Sequence, residues 1–119
     1  MIYRDQAELD AALTMWQKRL RLQDWRVIGQ THRQIDVAGR CHFKLSLKAA
    51  VIDLLDPVDA VDWDYPLDHE RTLVHELLHL HFAHTTLTYK DGSLPDLLME
   101  QAIESLAGAF VEAYKEDRQ

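Results

Sequence analysis

The segment from Thr72 to Phe82 constrains the fold of this chain most, because it is apolar at nearly every position around a helix. Such a pattern predicts a buried helix. Within it, His75 and His79 are four residues apart, so their side chains lie one above the other on a helix and can hold one metal ion. Glu76 follows the first histidine by about 100° around the helix, where it can reach a water on the metal without becoming a ligand.

The start of this helix is also visible in the sequence. Asp68 offers a side-chain oxygen for an N-cap, and Pro66 lies shortly before it, so we expect a helix that begins near residue 68. Imidazoles and a carboxylate are costly to bury unless they are hydrogen-bonded or bound to a metal. The alternative is a helix whose histidines are hydrogen-bonded within the protein or lie on its surface.

The pattern His75-Glu76-Leu77-Leu78-His79 resembles the HExxH motif of the zincin metallopeptidases. The metzincin branch has Gly and His at the positions that Phe82 and Thr85 occupy here, so the chain does not resemble that branch. His84 is the last histidine of the chain, so a distant downstream histidine is not available either. The resemblance is therefore to the gluzincins, in particular the small single-domain kind of bacteria and phages, where a glutamate on a following helix completes the zinc site.

Glu100 is the candidate for this third ligand. Glu100 and Glu104 lie one turn apart on a helical face that is otherwise apolar, and small Ala107 and Gly108 would allow a close approach of two helices. The resemblance to the gluzincin ExxxD pattern implies that Glu100 binds zinc and that Glu104, in place of Asp, orients a zinc-bound histidine. The sequence leaves open which of the two carboxylates is the ligand, and whether both belong to a solvated edge of the helix.

The resemblance implies a zinc-dependent peptidase that acts on a peptide or protein, with Glu76 as the general base toward a metal-activated water. The alternative is a zinc-binding regulatory or interaction module that keeps the zincin fold without turnover. A donor for the tetrahedral oxyanion is not evident from the sequence, because no spacing selects one of the nearby candidates. These are Tyr65, His69, His84 and Tyr89.

The order of elements predicts one α+β domain over residues 1–119, and the resemblance to the zincins implies a zincin-like fold. We expect a first helix, three short strands in a mainly antiparallel sheet with an edge strand along the cleft, the HExxH helix, and a C-terminal helix that carries the third ligand. The expected bounds are 5–22 for the helix and 25–29, 41–48 and 49–55 for the strands. We expect an acidic irregular stretch at 56–68, in which Trp63 and Tyr65 cover the sheet or line the cleft, and a loop at 85–94.

Composition limits the partners. Residues 1–50 contain nine Lys or Arg and five Asp or Glu, whereas residues 51–119 contain four and fifteen. A basic first half can indicate nucleic-acid binding, but cations at a helix end and on strands facing an acidic half of the same domain explain it better.

The single Cys41, expected in the core, and the absence of any apolar run of about 20 residues predict a cytoplasmic protein without a membrane segment or signal peptide.

Overall fold

The computed structural model describes residues 1–61, 63 and 65–118. It confirms the α+β class, with four helices and one three-stranded sheet among these residues. No helix in this part of the chain is both long enough and apolar enough to cross a bilayer. In chain order, the elements are α1 (Gln6–Arg19), β1 (Arg26–His32), β2 (Gly39–Lys44), β3 (Ala49–Leu55), α2 (His69–His81), α3 (Ala83–Thr88) and α4 (Leu94–Asp117), with 3₁₀ turns at Leu45–Leu47 and Pro57–Ala60.

The sheet is mixed, and the expectation of a mainly antiparallel sheet is wrong. β3 lies between the other two strands, parallel to β1 and antiparallel to β2. The second strand also ends earlier than expected, because the chain turns through Leu45–Leu47 and reverses at Lys48, whose φ is 46°. The predicted antiparallel edge strand is present as β2.

The first helix begins as predicted and ends earlier. The Asp5 side chain accepts a hydrogen bond from the Glu8 amide, which caps the first turn. Leu9, Leu13 and Trp16 recur at helical spacing and are buried, and the first two would contact a side chain placed at Gly29 of β1. α1 therefore packs on the same face of the sheet as the rest of the hydrophobic core.

The helix α2 is the central element of the core. Asp68 is its N-cap and accepts a hydrogen bond from the Arg71 amide at 3.2 Å, which confirms the predicted start. Its buried side chains include Leu73, Val74, Leu77, Leu78 and Leu80. At the start of β2, a Cβ atom on Gly39 would clash with the Thr72 methyl group. Glycine at this position therefore allows the edge strand to lie close against α2.

The chain after α2 differs from the expected loop. Ala83–Thr88 forms the short helix α3, and only the following residues, up to the cap at Ser93, connect it to α4. α4 contributes Met99, Ile103, Ala107 and Val111 to the core at helical spacing. Glu100 and Glu104 lie beside this buried stripe, on the flank of α4 that faces α2.

Candidate metal centre

Two rows of side chains face each other where α2 and α4 pack together. Arg71, His75 and His79 follow one another at four-residue spacing on α2, and Glu100, Glu104 and Gly108 do so on α4. Arg71 contacts Glu104 and the position of Gly108, whereas His79 contacts Glu100. Earlier residues of α2 thus lie against later residues of α4, so the two helices are antiparallel and the two rows of side chains lie side by side.

His75, His79 and Glu100 lie close enough to bind one metal ion, since their ligand atoms are all within 4.8 Å of one another. Oε2 of Glu100 is 3.3 Å from Nε2 of His75, and Oε1 is 3.0 Å from Nε2 of His79. Ligand atoms around a tetrahedral zinc ion lie about 3.3 Å apart if each is about 2.0–2.1 Å from the metal. The spacing and the chemistry of these three side chains therefore fit zinc.

The surroundings of the two histidines suit metal binding. Nδ1 of His75 lies 2.7 Å from Oε2 of Glu104. A carboxylate only accepts hydrogen bonds, so this contact suits the tautomer with a proton on Nδ1, in which Nε2 keeps its lone pair for a metal. Burial lowers the pKa of His79, which favours the neutral imidazole that metals require.

Glu76 lies beside this centre and is almost completely buried, with 8% of its surface exposed. No described residue hydrogen-bonds its carboxylate. Burial raises the pKa of Glu76 to about 7; the nearby His75 opposes this rise, and Glu100 and Glu104 add to it. Glu76 is therefore a carboxylate that can both accept and release a proton near neutral pH.

A cleft of about 360 Å³ leads to His75 and Glu76. Ala38 and Gly39 line it from the start of β2, and the segment before α2 contributes Trp63 and Tyr65. Of the two locations expected for these aromatic side chains, the structure therefore favours the cleft. The edge strand β2 thus begins at Gly39 beside an opening that reaches His75 of the candidate metal centre.

The other residues considered as oxyanion donors divide into three groups. His69 is completely buried, accepts at Nδ1 from the Tyr3 amide at 3.1 Å and donates from Nε2 to the Leu55 carbonyl at 2.9 Å, so it joins α2 to the chain around it. His84 and Tyr89 are exposed and do not line the cleft. Tyr65 lines the cleft and is 80% exposed.

Arg71 was not predicted as a residue of this site, and Cys41 is less buried than predicted. Arg71 hydrogen-bonds Glu104 at 2.8 Å and lines the cleft, and its position four residues before His75 is the signal that would have found it. Cys41 is only partly buried, although it does pack against the core. Burial raises the pKa of the Cys41 thiol to about 12, and the negative charge of Glu76 contributes.

Comparison of the chain with models of protein families, with curated proteins and with solved structures finds no match. The arrangement of residues at the α2–α4 interface is therefore the basis for any statement about function.

Proposed function

We propose that this protein is a zinc-dependent peptidase that hydrolyses peptide bonds. The observation that carries the proposal is the closeness of Nε2 of His75, Nε2 of His79 and the Glu100 carboxylate, with the carboxylate of Glu76, which no described residue hydrogen-bonds, beside them. Two imidazoles and one carboxylate leave the fourth position of a tetrahedral zinc site open, as in catalytic sites and unlike structural ones.

Each residue has a separate task in this reaction. His75, His79 and Glu100 hold the metal, and Glu104 keeps Nδ1 of His75 protonated and its ring in place. Zinc bound there would polarise the scissile carbonyl and lower the pKa of a water molecule, which would become a better nucleophile on losing its proton. Glu76 accepts the proton of the attacking water and delivers it to the amine that leaves as the C–N bond breaks.

The substrate approaches along the cleft. β2 is an edge strand, and its first residue, Gly39, lines the cleft together with residues of α2. An extended peptide can add to such an edge through backbone hydrogen bonds, which would bring a peptide bond to Glu76 and the metal. This geometry supports a peptide or an unfolded protein segment as substrate.

Metal analysis followed by a cleavage assay tests the proposal. The purified, tag-free protein is treated with a chelator, reloaded with zinc, and tested against casein and a mixed peptide library. We expect one zinc per chain and cleavage that the chelator abolishes. His79→Ala should remove both, whereas the matched control His84→Ala, which alters an exposed histidine of α3, should remove neither.

The assay also separates the proposal from its alternative. Stoichiometric zinc without cleavage of any substrate would show a zinc-binding interaction module. Less than one zinc per chain after supplementation would reject the metal centre itself.

A further inference from the structure

On α2, Arg71 is the first charged side chain on the N-terminal side of His75. Its Nε atom donates to Oε1 of Glu104 at 2.8 Å, and Oε2 of the same carboxylate accepts from Nδ1 of His75 at 2.7 Å. The two oxygens of Glu104 are thus shared between a guanidinium group and a candidate metal ligand. Arg71 and His75 therefore touch opposite ends of one carboxylate.

Gly108 provides the place where the guanidinium lies. A Cβ atom at Gly108 would be 2.9 Å from Nη2 and 3.2 Å from Cζ of Arg71. A glycine in the interior of α4 lowers the helix propensity by about 1 kcal/mol relative to alanine. The absence of a side chain at this position therefore has a local structural use, because it lets Arg71 lie flat against α4.

Glu104 needs such a contact to act on His75. Half of its side-chain surface is exposed, and a glutamate has three rotatable bonds, so in solution it can adopt many conformations. We propose that Arg71, seated on Gly108, is a positioning residue that holds Glu104 against His75 and thereby raises the affinity of the site for zinc. This inference rests on the metal centre of the proposed function and goes beyond its ligands.

The sign of the effect distinguishes positioning from simple electrostatics. Arg71 is a cation near a site for a divalent cation, so its charge alone weakens zinc binding, and its removal would strengthen binding. Positioning through Glu104 predicts the opposite, because a misplaced Glu104 no longer orients His75.

Zinc affinity measured by competition with a coloured chelator provides the test. We expect Arg71→Gln to weaken binding by about 3–10-fold, less than the roughly 10–100-fold loss typical of a direct partner of a ligand. In a Glu104→Gln background the same substitution should no longer weaken binding, since an amide has one acceptor oxygen and cannot accept from both Arg71 and His75. Arg4→Gln, which removes a comparable exposed pair with Glu8, is the control and should leave affinity unchanged.

Gly108→Ala tests the space that Gly108 leaves for the guanidinium group of Arg71, without changing any charge. The added methyl group must shift the guanidinium group of Arg71, and we expect weaker zinc binding together with a higher melting temperature of the metal-free protein, because alanine favours the helix. Ser105→Ala, an exposed position of α4, should raise stability without a loss of affinity. Gly108→Ala should add nothing to Arg71→Gln.

Three results would overturn the inference. These are an affinity of Arg71→Gln equal to or higher than that of the original protein, an equal loss in the Glu104→Gln background, and an unchanged affinity of Gly108→Ala. If the unaltered protein binds no zinc, the inference and the metal centre fail together. If it binds zinc and cleaves nothing, only the proposed peptidase activity fails, because zinc affinity is the measured quantity.

Discussion

Two buried carboxylates of this protein have similar burial and different surroundings. Asp53 in the central strand β3 is 3% exposed, and Glu76 in α2 is 8% exposed. Asp53 accepts hydrogen bonds from Nε2 of Gln30 at 2.7 Å and from Nε of Arg40 at 2.8 Å, both on neighbouring strands and in register with it. Glu76, in contrast, has no hydrogen-bond partner among the described residues.

The pKa values of these groups move in opposite directions. Burial acts to raise the pKa of Asp53, but the hydrogen bonds from Arg40 and Gln30 outweigh it and leave the pKa below its usual value. For Glu76 burial dominates and raises the pKa to about 7. Hydrogen-bond partners therefore contribute, together with burial, to whether a carboxylate stays ionised or can exchange a proton near neutral pH.

The largest effect should follow from Glu76→Gln. The amide keeps the size of the side chain and removes its ability to accept a proton, so we expect peptide hydrolysis to fall by about 10²–10⁴-fold, roughly 3–5 kcal/mol in the barrier. Zinc content should stay at one per chain, because Glu76 is not a ligand. Cleavage rates and metal analysis on the same preparation check both parts, and a variant that keeps most of the activity would remove Glu76 from the role of base.

The two carboxylates of α4 should also differ in their effect on zinc. Glu100→Ala removes a ligand and is expected to abolish tight binding, whereas Glu104→Ala removes a hydrogen bond to His75 and should weaken binding by about 10–100-fold. Competition titrations with a chelator measure both affinities. A greater loss in the Glu104 variant would exchange the two roles.

Asp53→Asn should affect stability and spare the site. Loss of the charged bond to Arg40 is expected to lower the free energy of unfolding by about 1–3 kcal/mol, with zinc affinity unchanged. Because the pKa of Asp53 is lower in the folded protein, its contribution is present above the unfolded value of about 3.9 and is lost as pH falls through the folded value. Urea unfolding at pH 7 and pH 3 should therefore show a smaller difference from the original protein at the lower pH.

The exposed Asp36→Asn is the matched control for this change and should leave the unfolding curves unaltered. An equal destabilisation by Asp53→Asn at both pH values would contradict an ionic role for Asp53.

The smallest effect concerns Cys41, whose pKa is raised to about 12 by burial and by the charge of Glu76. In the metal-free protein, Glu76→Gln should remove the second contribution and increase the rate of thiol alkylation at pH 9 by less than about tenfold. Alkylation followed by mass measurement checks this. An unchanged rate would mean that the negative charge of Glu76 does not reach the thiol.

Local parts of the structure were predictable. The start of α2 at Asp68 follows from capping, the strand from Ala49 to Leu55 from a short apolar run that ends before Asp56-Pro57, and the common face of His75 and His79 from helical spacing. These signals operate over a few residues. The insertion of β3 between β1 and β2 was not predictable in the same way, because strand pairing joins residues far apart in the chain. The short helix α3 was missed, as its six residues contain no clear apolar period.

By itself, the sequence determined that two imidazoles and a glutamate occupy adjacent positions on one apolar helix, because the α-helix has a fixed period. Only the tertiary structure decided that Glu100 faces both histidines, that Glu104 is shared between His75 and Arg71, and that Gly108 makes room for the arginine. These relations depend on how α2 and α4 pack. Tertiary packing also buries most of Glu76 at the edge of the cleft, and this burial raises its pKa to about 7.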